Sequence, residues 1–334
     1  MFDGKSVLVT GGTGSFGRRF VEFVLRCYRP RRLIVFSRDE LKQQEMARQL
    51  SPQTHRSLRY FLGDVRDRDR LYRAFDGVEF VVHAAALKQV PSCEYNPLEA
   101  IKTNVLGAAH LIDAAIDRGV ERVIALSTDK AANPINLYGA TKLCADKLFI
   151  AANNYAGRHR TRFAVVRYGN VVASRGSVIP FFLKMRDTGV LPITDPRMTR
   201  FWITLEQGVD FVLSSFDRMR GGEILVPKIP SMNIVDLARA IAPHCRTETI
   251  GIRPGEKLHE TMISVDDARH TLAYDDYYAI LPAAESQTFH RTADPEGGKP
   301  CPDGFSYSSD NNTDWLSVEQ LRQMIGRLDN RKAA

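Results

Sequence analysis

The sequence has little of what would mark a secreted, membrane-bound or metal-clustered protein. Its five cysteines, at positions 27, 93, 144, 245 and 301, form no C-x-x-C pair, and their number is odd. A disulfide framework and a thiolate zinc site are both excluded on that pattern, leaving free thiols in a reducing compartment as the expectation. No run approaches the roughly 18 apolar residues a membrane span needs. No charged-then-apolar leader precedes the first buried segment, Ser6-Val7-Leu8-Val9-Thr10, so a cytoplasmic protein is expected. Internal repeats and low-complexity tracts are also missing. The chain carries a formal charge of +7 and a pI near 9.2. Its basic residues do not gather into one tract; in Arg66-Asp67-Arg68-Asp69-Arg70 they alternate with acids, as on a solvated face. With no nucleic-acid signature beside the charge, an anionic small molecule is the expected partner, and neither nucleic acid nor a membrane is.

What is present is a rhythm. Short runs rich in Val, Ile, Leu and Phe stand at Val7–Thr10, Leu33–Phe36, Arg59–Leu62, Phe80–His83, Val123–Leu126 and Phe163–Val166. Longer amphipathic stretches separate them. Continuous rather than alternating apolar runs fit strands buried on both faces, and the alternation with helices predicts a parallel α/β sheet. After about Gly169 prolines break the rhythm. The 334 residues then divide into a dinucleotide-binding domain over 1–170 and a smaller C-terminal α/β substrate-binding domain over 171–334. The helix-like Leu205–Phe216, and with it 205–226, is expected to return to the first domain.

The first strand runs into Gly11-Gly12-Thr13-Gly14-Ser15-Phe16-Gly17. Glycines let the backbone turn sharply and approach a pyrophosphate whose charge sits at the next helix N-terminus. Such a pattern is weak alone, but here it follows a buried strand and opens a helix, the context of a Rossmann-type doubly wound sheet. The second strand ends in Ser37-Arg38-Asp39, with Lys42 one turn on. Ser37, Arg38 and Lys42 suit a 2′-phosphate, so NADP is favoured over NAD, with Asp39 free to cap the following helix. Asp64, before Val65, can accept from an adenine amino group or simply stabilise a turn; the residues leave both open.

Tyr138 and Lys142, four apart, share one helical face, and a cation beside a phenol favours the phenolate. Such a tyrosine can take a proton from a sugar hydroxyl. Just upstream, Ser127-Thr128-Asp129-Lys130 leaves the C-terminal end of the fifth strand. Ser127 or Thr128 can bond the same hydroxyl. Asp129 and Lys130 form either an acid–base pair for eliminating water or an ordinary surface pair. Lys88 and Asn104 carry similar double readings, as site residues or as a solvated lysine and a helix-interior amide. His83 is expected to be a strand-end histidine.

These residues resemble the extended short-chain dehydrogenase/reductase superfamily. The run from Ser127 to Lys142 is similar, within it, to the inverting UDP-N-acetylglucosamine 4,6-dehydratases of pseudaminic acid biosynthesis. Ser37–Lys42, Met198–Thr204, Gly251–Glu260 and Tyr307-Ser308-Ser309 carry the same likeness, which covers nearly the whole chain. Retaining relatives have Thr-Asp-Glu where this chain has Thr128-Asp129-Lys130. The resemblance implies an NADP enzyme in which Tyr138 and Lys142 serve oxidation at C4, Lys130 takes the C5 proton in a neutral form, and Asp129 helps water leave C6. It places cofactor contacts at the glycine loop, Val65, Ala84, Ala86, Lys88, Asn104, Ser127 and Val171. It places UDP-sugar contacts at Lys88, Thr128, Asn170, Arg175, Gly176, Ser177, Val178, Arg200, Arg253 and Glu256, and implies a homo-oligomer. The rival readings are a UDP-sugar 4-epimerase, which needs no Asp129–Lys130 pair, and a non-catalytic NADP-binding regulator, which would not need Tyr138 and Lys142.

Overall fold

The computed structural model describes residues 1–157, 159–172, 178–282, 294 and 297–332. The first half alternates β1 (Ser6–Thr10), α1 (Ser15–Cys27), β2 (Arg32–Ser37), α2 (Glu40–Gln49), β3 (Leu58–Leu62), α3 (Arg68–Ala74) and β4 (Phe80–His83). It continues through α4 (Val90–Tyr95), α5 (Pro97–Ile101), a π-helical turn (Lys102–Leu106), α6 (Gly107–Asp117), β5 (Arg122–Thr128), α7 (Leu137–Tyr155) and β6 (Arg162–Tyr168). All six strands expected from the apolar runs are present, each within two residues of its expected ends. Then come β7 (Asn170–Val171), α8 (Val178–Met185), β8 (Val190–Ile193), β9 (Thr199–Ile203), α9 (Leu205–Arg218) and β10 (Ile224–Pro227).

The main sheet has the order β3-β2-β1-β4-β5-β6-β10, all parallel. Antiparallel strands Tyr277–Ile280, Thr271–Ala273 and Lys299–Pro300 extend it beyond β10. This is a Rossmann-type doubly wound sheet. β1 and β4 are buried along their whole length, as a central parallel strand must be. Strand order reverses between β1 and β4, and in such sheets the crevice beyond the strand ends at that point receives the ligand.

Helix starts follow local chemistry. Asp39 caps α2 by accepting from the Lys42 amide at 3.0 Å, and Asp67 caps α3 through the Arg70 amide at 3.0 Å. Thr204 and Gln207 form a reciprocal capping box on α9. α1 differs: its cap is Gly14, which offers no side chain, and no acid lies in its first turn.

Two apolar cores hold the molecule. The larger runs under both faces of the sheet and also takes Val209, Phe216, Met262 and Tyr307. The smaller gathers Ile179, Leu191, Trp202, Leu237 and Leu321. The chain beyond residue 171 is therefore shared between both. α9 packs on α1, where Phe216 meets the rings of Phe2 and Phe80, each with centroids 5.5 Å away in edge-on geometry. No helix among the described residues is long and apolar enough to cross a membrane. Phe216→Ala, which empties the centre of that ring cluster, is expected to cost about 3–5 kcal/mol. Urea denaturation measures it; a midpoint unchanged from the parent would refute the role given to this contact.

Candidate active site

Gly11 stands at the tip of β1 with φ of +63°, a conformation that L side chains rarely adopt. A Cβ on it would lie 2.9 Å from the Ala85 backbone, so the loop after β4 presses directly on the glycine turn. Thr10 helps bind the two, accepting from the amides of Ala84 and Ala85 at 3.2 and 3.3 Å. Gly17 is as constrained: a Cβ there would come within 2.5 Å of Gly12 Cα. The amides at the start of α1 (Ser15, Phe16, Gly17) are thus left without a side-chain cap beside a close-packed turn. That cradle fits the pyrophosphate of a dinucleotide. Phe16 itself stacks on Phe20.

At the β2 tip, Arg38 is exposed and lies 3.5 Å from Asp64, and Lys42 pairs with Asp39. Asp39 caps α2, and Arg38 and Lys42 are the two cations at this tip. Ser37 is placed differently from expectation. It is buried, and its Oγ accepts from Gln43 Nε2 at 3.0 Å, because the α2 face turns that amide inward. Asp64 receives Arg66 Nε at 3.0 Å and the Arg66 amide at 3.0 Å, so its turn-stabilising role is realised. Burial works against its ionisation, but the bonds and charges of Arg66 and Arg38 win and hold its pKa below the usual value. Val65 packs against Gly107.

The reactive groups gather where β5 ends. Thr128 caps a short turn, Asp129–Ala131, which folds back on the start of α7. The approach is so close that a Cβ on Gly139 would lie 2.1 Å from the Lys130 carbonyl oxygen. Asn136 caps α7 through the Gly139 amide at 2.8 Å and donates to the Gly255 carbonyl at 2.8 Å, tying the far loop to this helix. Asp129 is 0% exposed and its Oδ1 accepts from Thr128 at 2.9 Å and Lys130 Nζ at 3.1 Å. Lys130 also meets Glu260 Oε1 at 2.9 Å.

The charge state of Lys130 corrects the expectation of a neutral amine. Burial lowers its pKa, yet the carboxylates of Asp129 and Glu260 outweigh burial and raise it above the ordinary lysine value. Tyr138 departs in the same direction. Burial pushes its pKa up to about 12, while the charge of Lys130 and contact with Thr128 pull it down. The cation that opposes the burial of this phenol is Lys130. Lys142 is itself buried, which lowers its pKa against the opposing charge of Asp146.

Ser127 is also placed otherwise than expected. Its hydroxyl donates to Asp146 at 2.8 Å, leaving Thr128 as the hydroxyl beside Tyr138. Asp146 pairs with Arg167 at 3.3 Å, deep in the interior. Neither was picked out beforehand, although Asp146 lies four residues beyond Lys142 and hence on the same helical face. Asn104 bridges the post-β4 loop to α7: it exchanges bonds with the Leu87 backbone at 2.8 and 2.9 Å and donates to Thr141 at 3.0 Å. Both of its Nδ2 donors are therefore committed to holding the post-β4 loop against α7. Lys88 is exposed at the mouth; desolvation and the Lys130 charge lower its pKa. Ala84 and Ala86 line the same loop.

Of the expected substrate contacts, Asn170 lies on β7 beside Val171, an expected cofactor contact, the two paired with Trp202 and Ile203 of β9, and Val178 opens α8. Arg175, Gly176 and Ser177 lie outside the described residues. Arg253 is exposed. Arg200 was expected to grip a diphosphate. Its guanidinium is instead buried and donates to the carbonyls of Thr199, Leu258 and Lys257 at 2.7, 2.9 and 2.9 Å. Glu256 approaches it at 3.6 Å. Glu260, missed in the sequence reading, is the acid that reaches Lys130 from this loop.

His83 is buried against Thr10 Oγ1 at 2.8 Å, and burial, with the charge of Lys142, lowers its pKa from 6.5 to about 3. A histidine held neutral in the fold takes up protons more readily when unfolded. Its contribution is whole above pH 6.5 and is lost as pH falls toward about 3. Stability should then fall by up to about 1.4 kcal/mol per pH unit over that window from this group alone. His83→Gln should flatten the slope, read from urea midpoints against pH; parallel curves for the two proteins would contradict it. Gly139→Ala should cost about 1–3 kcal/mol through overpacking against the Lys130 carbonyl. Gly208→Ala, in α9 with only Tyr168 at 4.0 Å from a new Cβ, should be neutral or stabilising. Equal midpoints for these two variants would show that the Gly139 approach is not tight.

Comparison with known proteins matches this geometry. The family described as polysaccharide biosynthesis protein matches residues 7–282. The inverting UDP-N-acetylglucosamine 4,6-dehydratase of Campylobacter jejuni is 57% identical, over 98% of this chain and 99% of that one. The UDP-glucose 4-epimerase of Rickettsia canadensis is 41% identical, over 98% of this chain and 97% of its own. Among solved structures, Pen from Bacillus thuringiensis superposes with a TM-score of 0.89 at 34% identity, over 98% and 99% of the two chains. With its doubly wound sheet, glycine cradle and buried Tyr138–Lys142 helix, this chain belongs to the polysaccharide biosynthesis protein family of extended short-chain dehydrogenase/reductases.

Proposed function

We propose that this protein is an NADP-dependent inverting 4,6-dehydratase of UDP-N-acetylglucosamine, acting early in pseudaminic acid biosynthesis. The observation that carries the proposal is the turn Asp129–Lys130, with Asp129 fully buried, packed on Gly139 in the first turn of α7 beside Tyr138. A simple epimerase has no use for a second acid and base there; elimination of water does. The likeness to the Campylobacter enzyme supports the sugar, and Arg38 and Lys42 at the β2 tip support NADP over NAD. In this reading residues 1–170 hold the cofactor and much of 171–334 holds the UDP-sugar, with Asn170 and Val178 toward the sugar. Arg253 and Arg175-Gly176-Ser177 serve the diphosphate. The enzyme works in the cytoplasm as a homo-oligomer.

A nicotinamide cofactor held by the glycine loop, Arg38 and Lys42 would supply reversible hydride transfer with the sugar carbons. Tyr138, with Thr128 beside it, takes the proton of the C4 hydroxyl. The C4 ketone then acidifies C5, and Lys130 in its amine form takes the C5 proton. The C4 hydroxyl proton, relayed from Tyr138 through Thr128, whose Oγ1 bonds Asp129 at 2.9 Å, protonates Asp129, and Asp129 passes it to the C6 hydroxyl, which leaves as water. Lys142 and Asp146 hold the α7 face and its charge behind Tyr138. Reprotonation of C5 on the opposite face yields the L-arabino 4-keto-6-deoxy sugar.

A second reading, a UDP-sugar 4-epimerase, is favoured by one observation: Lys130 sits as a paired cation, as a merely structural lysine would. NMR of the protein with UDP-N-acetylglucosamine in heavy water separates the two. The expected spectrum has a new C6 methyl, deuterium at C5 and L-arabino couplings, and Lys130→Ala should remove the methyl. A C4 epimer without a methyl would install the epimerase, and a fully active Lys130→Ala enzyme would overturn the role of Lys130.

A further inference from the structure

If the dehydratase reading holds, its proton account is incomplete at Lys130. The amine must be neutral to take the C5 proton, yet Asp129 at 3.1 Å and Glu260 at 2.9 Å stabilise it as an ammonium. Its proton needs somewhere to go within the site. Glu260 meets the geometric requirement. Its carboxyl is 2% exposed, one oxygen is within direct hydrogen-bond reach of Nζ, and Oε2 has no hydrogen-bond partner among the described residues. The Glu260 backbone is clamped: its amide donates to Ser309 Oγ at 3.0 Å and its carbonyl accepts from the Ser309 amide at 2.8 Å. A side chain on so fixed a base is aimed rather than adrift.

The charges around it favour a proton shared with Lys130. Asp129 and Glu260 place two buried carboxyls against one ammonium, with Arg200 at 4.0 Å from Glu260 Oε1. The Arg200 fork is already committed to backbone carbonyls. Lys257 also faces the cluster, its Nζ donating to the Ala132 carbonyl at 2.7 Å, while Tyr138 and Lys88 approach Lys130 from the other side. Burial and the nearby Asp129 raise the pKa of Glu260 against the pull of Lys130 and Arg200, which makes its carboxyl a better proton acceptor than an ordinary glutamate.

We propose that Glu260 is the proton holder for Lys130, a positioning residue that makes this lysine a base without requiring it to lose a proton to solvent. In the forward step an Nζ–H bond breaks as a Glu260 Oε1–H bond forms, and the lone pair stays on Nζ. Lys130 then forms a new N–H bond with the C5 proton, and the C5–H electron pair passes into the enolate conjugated with the C4 carbonyl. When Lys130 passes that proton to solvent at the end of turnover, in exchange for the one solvent delivers to the opposite face of C5, Glu260 returns its own to Nζ, and the pair ends as it began. The lysine thus remains a cation at rest and an amine when it acts.

The test compares the wild-type holoenzyme with Glu260→Gln and Glu260→Asp, using UDP-N-acetylglucosamine as the probe. Three readings are taken: kcat against pH, KM, and the absorbance of reduced nicotinamide in a single turnover. The wild type should show a flat kcat through neutral pH. Glu260→Gln should lose about 10²-fold in kcat at neutral pH, keep KM within about 3-fold, and accumulate reduced cofactor, because oxidation at C4 proceeds while removal of the C5 proton stalls. Its rate should climb with pH, since Lys130 must now lose its proton to solvent, and Glu260→Asp should restore part of the plateau. A Glu260→Gln enzyme with the wild-type rate, or one slowed with an unchanged flat profile and no reduced cofactor, would overturn the proposal. A wild-type enzyme that forms no methyl product fails earlier and separately, at the dehydratase reading itself.

Discussion

The contact on which the site depends is the approach of the Lys130 carbonyl to the first turn of α7. A Cβ at Gly139 would lie only 2.1 Å from that oxygen, so the turn and the helix are joined with no room for a side chain. Everything reactive hangs from this contact. β5 delivers Thr128 and Asp129 at its end, the turn brings Lys130 over the helix, and the helix presents Tyr138 and, one turn deeper, Lys142. The post-β4 loop is held against the same helix by Asn104, and pressed against the glycine cradle at Gly11. The place where a nicotinamide would meet a sugar is thereby set by backbone packing, with side-chain choice added on top.

A second constraint comes from the opposite direction along the chain. The loop 251–260 is drawn onto the first half by Asn136 bonding Gly255, by Lys257 reaching the Ala132 carbonyl and by Arg200 fastening carbonyls 257 and 258. Its end is locked by Ser309 from the C-terminal segment. These bonds bury polar groups that would be costly unpaired, and their result is one carboxylate, Glu260, placed against Lys130. The turn after β5 and the loop 251–260 thus form a single electrostatic unit, although more than a hundred residues separate them. Such a unit explains how a lysine can be strongly paired and still stand where a base is needed.

Much of the fold was legible because its signals are local and repetitive. Apolar runs such as Val7–Thr10 and Phe80–His83 can hardly be anything but buried strands once helices separate them. The glycine loop announces a turn that only small residues permit, and Tyr138 and Lys142 share a face by helical spacing alone. The site was legible less evenly. The capping role of Asp39 could be foreseen, since it needs only the next three residues. The capture of Ser37 by Gln43 could not, nor could that of Ser127 by Asp146, because each hydroxyl chose its partner from the packing of an adjacent element. Arg200 looked like a phosphate ligand because arginine forks match phosphate; burial beside three backbone carbonyls redirected it.

The sequence by itself determined the parallel sheet, the cradle and the residue types available for proton transfer, since these follow from periodicity, chain stiffness and short-range hydrogen bonding. Only the tertiary structure decided the charge each group carries. Two carboxyls, one adjacent in sequence and one brought from residue 260, raise the pKa of Lys130, and desolvation raises that of the Tyr138 phenol. Protonation depends on distance and on exclusion of water, and neither can be read from spacing along a chain.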